Sequence, residues 1–311
     1  MIWLWILVGV AALFLITLLF ALFCMHTAFG TRCEGNPNLK YFTHEDFDDL
    51  EAEPVSFKSD KGQSINGFVY TCYDKEPKAI VVFAHGMGGG HLSYTTEIHT
   101  LAKAGYAVLA YDNTGTMASE GKALGSFYQA VKDLRSALKF ISETEELKGF
   151  KIVLAGHSWG AYTVCQSLAF AEERVSGVVA FSPPDSTAKV VCDSMKRMMK
   201  IPMGWLLPSM WLASVIKGGI SASHTCTSIL LKTKKVPVML LQGDKDEMVT
   251  LKNSPISYLD IMAKDNITSV LYEGRAHNVY QSKASEDYLN KTFSEISKIK
   301  KQYGKKGLPE E

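Results

Sequence analysis

Apolar positions fall along this chain in three regimes. The first is a block. From Ile2 to Cys24 only Gly9 and Thr17 interrupt the run, and no Lys, Arg, Asp or Glu occurs before Arg32. At about 1.5 Å per residue, a helix of that length crosses a hydrocarbon core roughly 30 Å thick. A cleaved signal peptide has an apolar stretch of only about 7–15 residues behind a basic flank. Here only Met1 precedes the run, and Met25-His26-Thr27-Ala28-Phe29 is too bulky for a small-x-small cleavage site. The expectation is an uncleaved single-pass anchor over residues 1–25, with Trp3 and Trp5 at one interface. The charges beside it, an α-amine before and Arg32 and Lys40 after, lean toward a cytoplasmic C-terminal part without fixing the side.

The second regime, residues 26–54, is polar and acidic (Glu45, Asp46, Asp48, Asp49, Glu51, Glu53) and reads as a juxtamembrane linker. The third, residues 55–311, reads as one folded domain. Val55–Phe57 and Ile65–Thr71 flank Ser59-Asp60-Lys61-Gly62, which predicts a hairpin. Short, nearly continuous apolar runs then recur at Ala79–Ala84, Tyr106–Tyr111, Ile152–Ala155, Val178–Phe181, Val236–Leu241 and Ser269–Tyr272. Continuous apolarity marks strands buried on both faces, as in a parallel sheet covered by helices. Helical spacing lies between them, over Tyr94–Lys103, Phe127–Ser142, Ala161–Glu172 and Ser285–Lys300. The alternation predicts an α/β, doubly wound sheet.

One stretch breaks the alternation. Residues 184–226 read as an inserted helical cap, richer in Met and Trp than the rest of the soluble part. Its Met195, Met199, Met203, Trp205 and Trp211 are either core filler or the lining of an apolar pocket.

Composition narrows the function classes. A net charge of +1, 47% hydrophobic and 21% charged residues exclude a disordered chain and give no footprint for nucleic acid. The six cysteines include no C-x-x-C pair and no metal-ligand spacing, so no metal is expected. Cys192 and Cys226 bracket much of the cap and could bridge in an oxidising space; buried thiols are the simpler reading. Asn266-Ile-Thr268 and Asn290-Lys-Thr292 match a glycosylation sequon that is common by chance. The lysines at 298, 300, 301, 305 and 306 form a solvated helix end or dock on anionic lipid.

The chemistry lies at strand ends. Gly156-His157-Ser158-Trp159-Gly160 sits between a strand and a helix, the setting in which G-x-S-x-G lifts a serine onto a strained turn. A serine hydroxyl is a weak nucleophile and needs a base oriented by a carboxylate. His277 follows the last strand and is the base; Asp244 and Asp246 follow the strand before it as alternative acids. After the first long strand, His85-Gly86-Met87-Gly88-Gly89-Gly90 lets the backbone approach the nucleophile. The main-chain N–H groups of Met87 and Trp159 are the candidate oxyanion donors.

In order and spacing these motifs resemble the α/β-hydrolase superfamily, within it the monoacylglycerol-lipase-like and serine-aminopeptidase-like hydrolases. The resemblance spans roughly residues 55–300. It implies that Asp246, in Gly243-x-x-Asp246-x-x-Val249, is the acid of a triad with Ser158 and His277. It also implies structural roles for His85, Gly86, Gly156 and Gly160. The chain departs from the family where Thr114 and Met117 stand in place of an arginine and a glycine after the fourth strand.

The expected function is hydrolysis of a small, lipid-like acyl ester through an acyl-enzyme, with no cofactor and no nucleic-acid partner. A peptidase, amidase or acyltransferase could use the same triad. The remaining alternative is a tethered binding protein without turnover.

Overall fold

The computed structural model describes residues 1–73, 76–262 and 265–278. The helix expected over Ser285–Lys300, the basic C-terminal run and the Asn290 sequon lie outside the described residues. The hairpin forms as β1 (Leu50–Lys58) and β2 (Ser64–Cys72), antiparallel with Leu50 opposite Cys72. Six parallel strands continue the sheet: β3 (Ile80–Ala84), β4 (Ala107–Tyr111), β5 (Ile152–His157), β6 (Val175–Phe181), β7 (Val238–Gly243) and β8 (Ile267–Tyr272). Their order is β1-β2-β4-β3-β5-β6-β7-β8. β3, β4, β5 and β7 are buried along their whole length, and β6 at every position but Ser176. That burial is why their sequences run apolar without alternation.

Helices α2 (Thr95–Lys103), α3 (Gln129–Glu143) and α4 (Trp159–Ala171) supply the crossovers. On α3, Ala130, Val131, Leu134, Ala137, Leu138 and Ile141 form one buried face, the three-and-four spacing visible in sequence. The cap comprises α5 (Thr187–Met199) and α6 (Leu207–Gly218) joined by a short 3₁₀ turn, and ends at the five-residue α7 (Cys226–Leu230). Cys192 and Cys226 carry free thiols and are not bridged.

The N-terminal helix α1 runs from Ile2 to Phe29, longer than the apolar block alone. It is long and apolar enough to cross a membrane. Its first part is exposed, but Ala21, Cys24, Met25 and Phe29 are buried, with the Phe29 ring edge-on to Phe127 at 5.9 Å.

The residues read as a linker are fixed to the fold instead. Gly125 N–H and Leu124 N–H donate to the carbonyls of Phe29 and Thr31, and Cys33 forms a short parallel bridge with Thr116. The Arg32 guanidinium donates to the carbonyls of Met117 (2.5 Å), Ser119 (2.7 Å) and Gly121 (2.9 Å). An arginine from upstream thus braces the loop in which Thr114 and Met117 depart from the family pattern. Thr114 turns inward, donating from its N–H and Oγ1 to the buried Asp133. Polarity misled the linker reading, because this segment attaches by backbone and guanidinium hydrogen bonds, which leave no periodicity in sequence.

Candidate active site

β5 ends at the sheet's centre and turns directly into α4, and Ser158 occupies the turn with φ +55° and ψ −112°. A non-glycine residue at positive φ is costly and persists only where its surroundings enforce it. The surroundings here are close. A Cβ on Gly160 would collide with the Ala84 carbonyl oxygen, and one on Gly156 would lie 2.5 Å from the Gly160 carbonyl carbon. Both glycines are therefore required by backbone approach. The turn is pinned by Ser158 N–H donating to Phe181 O at 2.8 Å and by Tyr162 N–H donating to Ser158 O at 3.0 Å.

The loop after β7 separates the two candidate acids. Asp246 is buried; its Oδ1 accepts from the N–H groups of Met248 (2.9 Å) and Val249 (2.8 Å). Its Oδ2 accepts from Gln242 Nε2 at 3.0 Å and pairs with His277 Nδ1 at 2.8 Å. Asp244 faces elsewhere, accepting from Gly274 N–H at 2.7 Å and lying 3.7 Å from the Lys245 ammonium. Only one of the two touches the histidine.

His277 is also held by its backbone. Its carbonyl accepts from Ser182 Oγ at 3.0 Å and from His157 Nε2 at 3.2 Å. His157, the residue before the serine, is buried, and burial, together with the nearby His277, pushes its pKa well below the usual imidazole value. A neutral ring that donates from Nε2 must accept at Nδ1, which meets the Tyr94 hydroxyl at 2.9 Å. Tyr94 in turn accepts from Gly86 N–H at 2.9 Å. One chain of hydrogen bonds therefore ties the glycine-rich loop to the backbone of His277.

His85 braces the same loop. Burial lowers its pKa too, so Nδ1 donates to Gly86 O at 2.7 Å while Nε2 accepts from Asn113 N–H at 3.0 Å. Trp159 N–H stands at the first position of α4, where no preceding turn supplies a carbonyl. Met87 and Trp159 both line the cavity onto which Ser158 and His277 open.

Residues 75–229 match the family described as serine aminopeptidase, S33. The monoglyceride lipase of Homo sapiens is 23% identical over 252 residues, spanning 71% of this chain and 82% of the lipase. The acylamino-acid-releasing enzyme of Rattus norvegicus is 24% identical over 238 residues, spanning 69% of this chain but 30% of that enzyme. A Pyrococcus furiosus esterase superposes with a TM-score of 0.66 at 21% identity, covering 86% of this chain and 98% of its own. The chain belongs to the α/β-hydrolase superfamily.

As in other α/β hydrolases, the cavity lies at the carboxyl ends of the strands, where ligands meet open α/β sheets. It measures about 370 Å³, and its walls include Phe127, Trp159, Val190 and Val249. Leu39 and Tyr41, from the segment read as a linker, form part of the lining. Arg197 is the charged cap residue on it, donating to the carbonyls of Glu247 (3.0 Å) and Met248 (3.2 Å). The expected Met/Trp lining is corrected. Met203 is buried in the core, Met195 packs against it, and Met199, Trp205 and Trp211 are exposed; none of the five lines this cavity. Residue type alone did not tell a helix's inner face from its outer one, whereas the spacing of Val190, Ser194 and Arg197 does mark one face of α5.

His157, Tyr94 and Ser182 were missed in sequence. His157 lies within residues 156–160, and a polar ring just after the apolar run Ile152–Ala155 is the signal in the sequence that marks it.

Proposed function

We propose that this protein is a membrane-anchored serine hydrolase that cleaves a lipid-like acyl ester. Ser158 Oγ attacks the ester carbonyl while His277 Nε2 takes its proton, and Asp246 stabilises the imidazolium through Nδ1. The Met87 and Trp159 N–H groups hold the oxyanion of the tetrahedral intermediate; one such donor is typically worth about 10²–10³ in kcat. The imidazolium then protonates the departing alkoxide, leaving an acyl-Ser158 ester. Water, deprotonated by His277, attacks that ester and releases the carboxylic acid and free Ser158. The observation that carries this reading is His277, paired with the buried Asp246, opening onto the same cavity as a serine held at positive φ.

Three features support an ester of an apolar acyl chain. The lining of the cavity includes no Asp or Glu among the described residues, so nothing there pairs the α-ammonium of a peptide. Leu39, Met87 and Met248 expose apolar surface on its walls. The final turns of α1 are buried against the rest of the chain, which favours a retained anchor over a cleaved segment. A monoglyceride or a lysophospholipid fits such a site better than an amide.

The full-length protein in detergent micelles should hydrolyse p-nitrophenyl esters, with highest kcat/KM at medium or long acyl chains. Ser158→Ala should abolish turnover. If no ester is cleaved while acyl-peptide anilides are, the ester reading is replaced by the amidase one.

A further inference from the structure

Helix α6 is apolar on its outer face as well as its inner one. Trp211, Leu212, Val215 and Ile216 are exposed or half-buried, while Met210 and Ala213 are buried together with its two serines, Ser209 and Ser214. A helix on the surface of a soluble domain has a polar outer face instead. The buried serines are satisfied locally: Ser214 Oγ donates to Met210 O at 2.8 Å, and Ser209 Oγ meets Thr17 Oγ1 of α1 at 2.7 Å.

That last contact sets a depth. α6 packs along α1, and Thr17 is the one hydroxyl within the apolar block of α1. From Thr17 to Cys24, where the block ends, is about 10 Å along a helix axis. If α1 crosses the bilayer with this block in the hydrocarbon, the amino end of α6 lies beneath the interface in the same leaflet. Continuity with a spanning helix and an apolar outer face then demand one environment.

Charge agrees with it. From Ser194 to Thr225 the cap carries Lys196, Arg197, Lys200 and Lys217 and no Asp or Glu. Lys196, Lys200 and Lys217 are exposed at the carboxyl ends of α5 and α6, placed to meet lipid headgroups.

We propose that α1 and the cap helix α6 form one membrane-embedded pair, so that the cap is a wedge seated in the leaflet rather than a lid standing in water. The occupant of the exposed α6 face is phospholipid. The wedge rests on α1 being a membrane span. It would make lateral delivery from the leaflet the route to the site, because elements that touch α1 also wall the cavity: α5 packs against α1 and lines the cavity with Val190, Ser194 and Arg197, and Phe127, edge-on to Phe29 of α1, lines it as well.

Nitroxide accessibility in nanodiscs of phosphatidylcholine and phosphatidylglycerol tests it with the full chain. Labels replace Trp211 (W211C), Ile216 (I216C), Leu13 on α1 (L13C) and the exposed Lys139 on α3 (K139C). Positions 211 and 216 should collide with oxygen in preference to a water-soluble nickel chelate, as position 13 does, while position 139 shows the reverse. Water-like values at 211 and 216 with membrane-like values at 13 would overturn the wedge and leave the anchor standing. Water-like values at 13 would remove the anchor and the wedge together. A second variant avoids labels. Trp211→Glu with Ile216→Glu should lower hydrolysis of an ester embedded in the nanodisc at least tenfold and leave hydrolysis of p-nitrophenyl butyrate within twofold. Equal losses on both substrates, or no loss on either, would contradict the wedge.

Discussion

Asp244 and Asp246 stand two positions apart on one loop and hold different partners. The spacing in sequence could not separate them, since either carboxylate follows β7; the family pattern chose Asp246, and the Nδ1 contact at 2.8 Å supports that choice. Asp246→Asn should lower kcat by about 10³–10⁴, because the amide no longer enforces the histidine's tautomer. Asp244→Asn, which alters only a turn contact to Gly274 and an exposed ion pair, should stay within tenfold of wild type. Equal losses in the two variants would remove Asp246 from its assigned role. A second residue sets stability against pH. Burial pushes the Glu97 carboxyl up to about 7 from 4.5. The folded state therefore binds the proton more tightly than the unfolded chain does. Stability from this group falls as pH rises from about 4.5 to 7, by roughly 3 kcal/mol in total. Glu97→Gln should flatten urea-unfolding stability across that window and exceed wild type at pH 8; an unchanged slope would refute it.

At the scale of elements, strand positions were legible because burial on both faces writes itself as unbroken apolar runs, and β3 to β7 are such strands. The hairpin was legible from its turn, although β1 begins at Leu50, inside a segment whose acids disguised it. Less legible were pieces held by backbone and guanidinium hydrogen bonds. Arg32 is the clearest case. Its three carbonyl contacts span the loop from Met117 to Gly121; one hydrogen bond to a charged group is typically worth about 1.5–3 kcal/mol, and the part-exposed loop carbonyls regain water as partner when the guanidinium is removed. Arg32→Ala should cost about 2 kcal/mol in chemical denaturation in micelles. A loss below about 0.5 kcal/mol, the range of ordinary surface substitutions, would show that the brace is decorative.

For the molecule as a whole, the N-terminal helix is two things in succession. Residues 2–16 carry exposed apolar surface, whereas Ala21, Cys24, Met25 and Phe29 belong to the same core as α3, α4 and the cap. Hydropathy displayed the first role and concealed the second, because a membrane span and a core helix use the same residues. The two parts should separate by truncation. Deleting residues 2–16 should leave the melting temperature in detergent within a few degrees of wild type, while deleting residues 2–34 should lower it by more than about 8 °C, the shift that loss of 2–4 kcal/mol brings to a domain of this size. Equal melting of both truncations would mean that the packed half of α1 contributes nothing to the fold.

The proposed function requires Ser158 to be an activated nucleophile. The most direct measurement is labelling of the full-length protein by a fluorophosphonate in micelles, comparing wild type with Ser158→Ala, Asp246→Asn and Asp244→Asn. Wild type and Asp244→Asn should label at similar rates, Asp246→Asn far more slowly, and Ser158→Ala not at all. Labelling that persists in Ser158→Ala, or a folded wild type that never labels, would mean that Ser158 is not the nucleophile.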